Sequence, residues 1–465
     1  MRRLGEPGRS AMRIVIAGED EVAIRLAADL MGEHAVFLVC PEKVAGPKID
    51  RLDAGVVYGS ATATQVLRTA KVQDADIFIA ATPRDEQNLA ACVVAKHLGA
   101  QRTVCFLFRP DLRDAIDESG LFAASVGIDT IIRPSEKLAR EILRIVTVPG
   151  ALDVEIFEGG KVQLFRHAVE ENAPIIQGLL KDVNLPANVV IVMVRRGEEI
   201  FVPKGNTQLR PGDKVTAMGD PAGMERLLFR YLRARDHGHE ARRVTIVGAG
   251  EVGVAVALGL EDLGWSVKVI ETKPERCEEV ARVLNSLVLQ GSGTDLDLLE
   301  QERVADDSAL VAVTHNDERN LLVSLLAKHL GVPRIITRAS SHSNERLFDK
   351  VGIDVVRSAQ GAAIQSVVRG VVASRAELLA ELEHGDAMVI ERVLPAELAP
   401  TSLGALKVPE FTIIGAILRG NDVIIPKGSD TLQGNDRILV FCTREHEQEV
   451  TDFFKHELLK QHSSR

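Results

Sequence analysis

Residues 82–99, TPRDEQNLAACVVAKHLG, align without gaps to residues 314–331, THNDERNLLVSLLAKHLG, with identity at 10 of 18 positions. Composition alone gives about one identity in such a window. Flanking pieces follow in the same order: RIVIAGEDEVA (13–23) answers RVTIVGAGEVG (243–253), GSAT (59–62) answers GSGT (291–294), and VGID (126–129) recurs at 351–354. A second kind of segment repeats downstream, RRGEEIFVPKGNTQL (195–209) matching LRGNDVIIPKGSDTL (418–432), with Asp213 opposite Asp436. A duplication of this size sets domain boundaries before any element is assigned. The order is A-B-A-B, the halves join at the charged stretch ARDHGHEARR (234–243), and the expected domains are 12–148, 149–234, 242–372 and 380–460.

Each A unit alternates short aliphatic strands with helices. In the second copy VTIVG, SVKVIE, ALVAVT and RIITR read as strands, while EVGVAVALGLEDLG and NLLVSLLAKHLG read as helices. That alternation predicts a doubly wound parallel sheet. The B units carry hairpin signals at Arg196-Gly197-Glu198 and Gly420-Asn421-Asp422, and a further turn at Arg210-Pro211-Gly212-Asp213. They are expected to be small α+β domains.

Composition agrees, with 46% hydrophobic, 26% charged and only 4% aromatic residues, which suits layers packed with Val, Ile, Leu and Ala. Every long aliphatic run is broken by charge, so a membrane-spanning helix is not expected. A net charge of -10 disfavours nonspecific binding to nucleic acid or anionic lipid. Five scattered cysteines with no CxxC pair read as buried thiols rather than metal or redox centres. Residues 1–11 have no apolar core of a secretion signal, and Met12 is a candidate start.

Gly248-Ala249-Gly250-Glu251-Val252-Gly253 fits G-x-G-x-x-G between a strand and a helix. The first Gly permits a tight turn, the second lets backbone approach a pyrophosphate, and the third allows close helix-strand packing, with the helix N-terminus supplying amide donors. Glu271 ends the next strand, 23 residues after Gly248, placed to accept hydrogen bonds from ribose hydroxyls. The first copy, Gly18-Glu19-Asp20-Glu21-Val22-Ala23, puts a carboxylate where the phosphate-facing glycine belongs, and its next strand ends at Cys40. Asp20 is expected to repel pyrophosphate, leaving this site empty, altered in specificity or purely structural. One live and one silenced pocket suit sensing better than catalysis.

The Thr, Asp, Asn and Glu at 82–89 and 314–321 read first as helix caps and dipole partners. They also lie where strand ends line a ligand crevice, so Thr314 and Asn320 are candidates for both roles. Arg338 is a candidate phosphate fork, replaced by Phe106 in the first copy. His97 and His329, near helix ends, are expected to meet terminal carbonyls.

The order G-x-G-x-x-G, acidic strand end, G-[SD]-x-T, T-x-x-D-E-x-N-L, A-K-x-L-G and V-G-I-D resembles the regulator of potassium conductance (RCK or KTN) domain. The B units, with P-K-G-x-x-x-L and a later Asp, resemble that family's C-terminal domain, and the tandem arrangement is similar to the TrkA family. The resemblance implies an α/β fold with two tandem Rossmann-like doubly wound parallel-sheet domains, each followed by a small α+β RCK C-terminal domain. It further implies a cytoplasmic regulatory subunit, peripheral on the inner face of the membrane. The implied partners are a TrkH/TrkG-type potassium channel-like membrane subunit and copies of itself, as a dimer or tetrameric ring, and not nucleic acid. The implied ligands are NAD(H) and ATP or ADP, contacted by Gly248 to Gly253, Glu271, Ser292, Thr314 and Arg338. The family's usual Gly-Asp is Gly59-Ser60 and Gly291-Ser292 here. An NAD-dependent oxidoreductase with a duplicated Rossmann domain is the alternative, disfavoured because no Tyr-x-x-x-Lys pair or clustered His, Arg and Asp set serves hydride transfer. A stand-alone sensor of a cyclic dinucleotide is a third reading without a fingerprint of its own.

Overall fold

In the computed structural model, residues 11–109, 125–232, 242–369, 378–382 and 387–454 are described, apart from breaks at 33, 42–48, 50–51, 53, 149, 407, 410 and 421. The junction at 234–243 falls outside the described residues except at Arg242 and Arg243, and residues 1–10 lie outside them as well.

Strands β1 (Arg13–Ala17), β2 (Ala35–Cys40), β3 (Gly55–Tyr58), β4 (Ile77–Ala80), β5 (Arg102–Phe106) and β6 (Thr130–Ile132) form a six-stranded parallel sheet in the order 3-2-1-4-5-6. The central β1 and β4 are almost wholly buried, as runs such as IVIA and IFIA require when helices cover both faces. The second half repeats this sheet with β12 (Arg243–Val247), β13 (Ser266–Glu271), β14 (Leu287–Gln290), β15 (Ala309–Ala312), β16 (Ile335–Ala339) and β17 (Val355–Ser358), in the order 14-13-12-15-16-17. Each strand order reverses beside its first strand, which opens a crevice at the carboxyl ends of the strands.

The B units form two antiparallel five-stranded sheets. The first contains β7 (Ala151–Phe157), β8 (Val162–Ala168), β9 (Val189–Arg196), β10 (Glu199–Phe201) and β11 (Lys214–Gly219). The second contains β18 (Leu378–Leu382), β19 (Ala387–Val393), β21 (Thr412–Arg419), β22 (Asp422–Ile424) and β24 (Arg437–Thr443), beside a small pair of β20 (Thr401–Ser402) and β23 (Thr431–Leu432). The expected hairpins are present: Arg196 pairs with Glu199 around Gly197, which has φ 61°, and Arg419 pairs with Asp422 around Gly420, which has φ 60°. Asn421 is outside the described residues. The repeated aspartates pin the next turn, Arg196 forking onto Asp213 at 2.7 and 2.8 Å and Arg419 onto Asp436 at the same distances.

The linear order A-B-A-B folds as two compact units, one holding both parallel sheets and the other both antiparallel sheets. In the first unit, the helix Ala359–Val367 of the second half packs on the helix Glu21–Leu30 of the first. In the second unit the two sheets share one apolar core. β24 alternates between two cores: Ile438, Val440 and Cys442 fill its own domain's, while Leu439 and Phe441 face Met218, Leu164 and Val192 of the first B unit. Four of the five cysteines are buried, Cys277 being partly exposed. Among the described residues no helix is long and apolar enough to cross a membrane.

Several caps differ from expectation. Thr82 and Thr314 are not N-caps; Arg84 and Asn316 hold that place, and only Asn316 uses its side chain, accepting from the Arg319 amide at 2.7 Å. Lys96 and Lys328, rather than His97 and His329, reach carbonyls, those of Gln101 and Gly352 at 2.8 and 2.7 Å, because their longer stems span to the next loop.

Phe411 adopts φ 63°, a left-handed conformation that is costly for a bulky side chain. The equivalent place before β9 holds Asn188 at φ 64°, a residue that tolerates it. Phe411→Asn is therefore expected to raise stability by about 1 kcal/mol. Thermal unfolding checks this; an unchanged or lower midpoint would mean that stacking of Phe411 on His446, with centroids 4.3 Å apart, outweighs the strain.

Candidate functional site

The crevice of the second A unit gathers every site residue expected from the sequence. Gly248 follows β12 with φ 109°, and a Cβ there would lie 3.0 Å from the Thr314 amide, so both conformation and space call for glycine. A Cβ on Gly253 would lie 2.0 Å from the Gly248 carbonyl oxygen, which explains how the helix comes so close to the turn. Ala249 and Val252 are buried and contribute backbone rather than side chain. Gly250 is the N-cap of the helix Glu251–Asp262 and provides no side-chain acceptor for the amides that follow.

Glu271, at the end of β13, holds this loop in place. Its Oε2 accepts from the Ala249 amide at 3.0 Å, and its Oε1 accepts from the Thr272 and Lys273 amides at 2.8 and 3.0 Å. Partial burial raises its pKa, but the hydrogen bonds from Lys273, Ala249 and Thr272 outweigh this and hold the carboxyl below its ordinary range. Oε2 retains an acceptor lone pair beyond the Ala249 bond. Arg276, which the sequence reading passed over, donates to the Ala249 carbonyl at 2.8 Å and braces the loop from the other side.

Ser292 follows β14, in a turn whose Gly291 amide donates to the Glu271 carbonyl at 2.9 Å, and its hydroxyl bonds Thr294 at 2.7 Å. Thr314 follows β15. The buried Asn320 brackets it: Oδ1 accepts from the Thr314 amide and hydroxyl at 2.9 and 2.6 Å, while Nδ2 donates to the carbonyls of Thr314 and Arg338, each at 3.0 Å. One side chain thereby ties the ends of β15 and β16 together. The Arg338 guanidinium, partly buried, has no hydrogen-bond or ion-pair partner among the described residues. Burial depresses its pKa, against the attraction of Asp317 and Glu251. His315 was also missed by the sequence reading; it sits beside Gly250 in the loop after Thr314.

The first A unit has the same bracket, Asn88 joining Thr82 to the Phe106 carbonyl, so Phe106 does occupy the place of Arg338. Its glycine loop differs. Asp20 is the N-cap of the helix Glu21–Leu30, and its Oδ1 accepts from the Val22 and Ala23 amides at 3.1 and 3.2 Å. The carboxylate therefore takes up the anion-binding donors itself, in addition to the repulsion expected of it. Burial raises its pKa, against the hydrogen bonds from Ala23 and Val22.

The TrkA-N domain family matches residues 14–134 and 244–359, and the TrkA-C domain family matches 164–230 and 388–455. A Trk system potassium uptake protein TrkA homolog of Archaeoglobus fulgidus is 35% identical over 445 residues, covering 96% of this chain and 100% of the relative. The chain belongs to the TrkA family. A second relative, the Trk system potassium uptake protein TrkA of Halomonas elongata, is 30% identical over 442 residues, covering 92% of this TrkA-family chain and 95% of its own length. Among solved structures, the GsuK RCK domain superposes with TM-score 0.57 at 20% identity, covering 96% of this chain and 95% of that one. The GsuK channel bound to NAD gives TM-score 0.56 at 19% identity, covering 98% and 80%. These two establish the RCK fold for both halves of the TrkA-family chain.

Proposed function

We propose that this chain is a nucleotide-sensing regulatory subunit of a Trk-type potassium uptake system, with one live nucleotide site in its second half. The observation that carries this reading is the contrast between Gly250, which leaves the helix amides open, and Asp20, which occupies the equivalent donors. NAD(H) or ATP/ADP would place its diphosphate against Gly248 to Gly253 and Arg338, and its ribose against Glu271, with Ser292 and Thr314 lining the crevice. The relatives named for Trk system potassium uptake support a membrane partner from such a system, and the partner in this reading is a TrkH/TrkG-type subunit. The division into domains 12–148, 149–234, 242–372 and 380–460 belongs to the same reading. Binding regulates the partner through different affinities for two arrangements of the A and B domains. Potassium flux into vesicles holding a Trk-type membrane subunit tests this: added chain should make flux respond to nucleotide, and flux that ignores nucleotide would refute it.

Self-association is part of the proposal. Leu322 and Leu325 on the helix Asp317–His329 and Leu347 and Val351 on the helix His342–Val351 are exposed at 47, 38, 52 and 41%. Their spacing places each pair on one outward face of its helix. The double variant Leu322→Glu/Leu325→Glu is expected to lower the mass measured by light scattering toward that of a single chain. An unchanged mass would place the assembly surface elsewhere.

A further inference from the structure

His315 lies in the loop between β15 and the helix Asp317–His329, at the lip of the crevice. Its ring faces the second glycine of the loop: a Cβ built on Gly250 would come 3.1 Å from His315 Cε1 and 3.7 Å from Nδ1. Among the described residues neither ring nitrogen has a hydrogen-bond partner. That glycine is the point where the nucleotide backbone comes nearest the chain, so a donor directed there meets phosphate oxygens before any other part of the ligand.

We propose that His315 contacts the diphosphate of the bound nucleotide as an imidazolium, which couples nucleotide binding to proton uptake. The inference rests on the nucleotide reading above and specifies how that site is regulated. The charged groups facing the ring are Arg338 from β16, Glu251 from the helix that follows the glycine loop, and Glu271 and Lys273 from the end of β13. Asp317 and Glu318 begin the helix on its own side. Without ligand, loss of hydration and the Arg338 cation hold the imidazole below its ordinary pKa, against the pull of Glu251 and Glu271. A diphosphate at Gly250 adds negative charge beside the ring and reverses that balance. The pKa of the bound state then exceeds that of the free state, so a proton is taken up at pH values between the two. Affinity falls as pH rises through that window and levels off above it. A rise of about one unit on binding makes affinity about tenfold weaker above the window than below it. The first copy has Pro83 at this position and no titratable group, in keeping with its self-capped loop.

Calorimetric titration of the full chain with NAD and with ADP, from about pH 6 to about pH 8, in paired buffers of unlike ionisation enthalpy, tests the proposal. His315→Gln keeps a donor of similar reach without a titrating proton, and its thermal unfolding verifies the fold. The difference between wild type and variant removes any titration of the ligand itself. Wild type is expected to take up protons near neutral pH and to lose about tenfold in affinity across the range. With NAD the variant should show neither effect and an affinity near the wild type's high-pH value, with ADP it should show only the titration of the ligand's terminal phosphate, and adenosine, which lacks the diphosphate, should cause no uptake in either. Equal uptake and equal slope in His315→Gln would overturn the assignment while leaving the nucleotide site intact. Failure of wild type to bind either nucleotide would overturn the site and this inference together.

Discussion

Gly250→Asp is expected to weaken nucleotide binding at least about 100-fold while leaving the fold intact. The substitution places in the second half the carboxylate that Asp20 supplies in the first, where it accepts from two consecutive helix amides at 3.1 and 3.2 Å. Hydrogen bonds from such donors to a charged group contribute about 1.5–3 kcal/mol each, and removing their availability to phosphate while adding like charge accounts for a loss of that size. Stability should hardly change, because Gly and Asp differ by only a few tenths of a kcal/mol at an N-cap. The new Cβ meets the end of the His315 ring at 3.1 Å, a side chain able to shift. Calorimetry with parallel thermal unfolding checks both halves of this expectation. Wild-type affinity in Gly250→Asp would remove the glycine loop from the site.

Asn320→Ala is expected to destabilise the second parallel sheet by about 3 kcal/mol. It deletes the bracket of four hydrogen bonds around Thr314 and Arg338 and leaves buried backbone groups without partners. Hydrogen exchange localises the effect: amides of β15 and β16 should exchange faster, and nucleotide affinity should fall because Thr314 and Arg338 lose their shared anchor. Asn88→Ala removes the matching bracket in the first half and should destabilise that sheet similarly without touching nucleotide binding. Wild-type exchange in Asn320→Ala would mean that the bracket contributes little.

Much of this was legible in the chain because the duplication allows each half to be read against the other. The aliphatic runs at β1, β4, β12 and β15 are buried on both faces, which is what identifies a parallel sheet from pattern alone. The glycine loop and Glu271 were readable because conformation and charge there are set by residue type. Pairing of like units was not readable. Strand periodicity reports that Leu439 and Phe441 are buried, but not that the first B unit covers them. Side-chain reach was equally hidden: Lys96 and Lys328 bond carbonyls beyond their own helices, at Gln101 and Gly352, in place of the terminal-carbonyl contacts expected of His97 and His329. The sequence marks Asp20 as a repelling charge, and its part as a cap emerges only from the backbone geometry of the loop. His315 carried no motif; the asymmetry with Pro83 was the one available signal.

In the proposed function one half of the duplicated chain senses nucleotide and the other half is closed by its own carboxylate. Counting bound NADH and ADP per chain at saturation, by equilibrium dialysis of the purified full chain and of Gly250→Asp, tests it most directly. One nucleotide is expected per wild-type chain and none in the variant. Two per chain, or one that persists in Gly250→Asp, would contradict it.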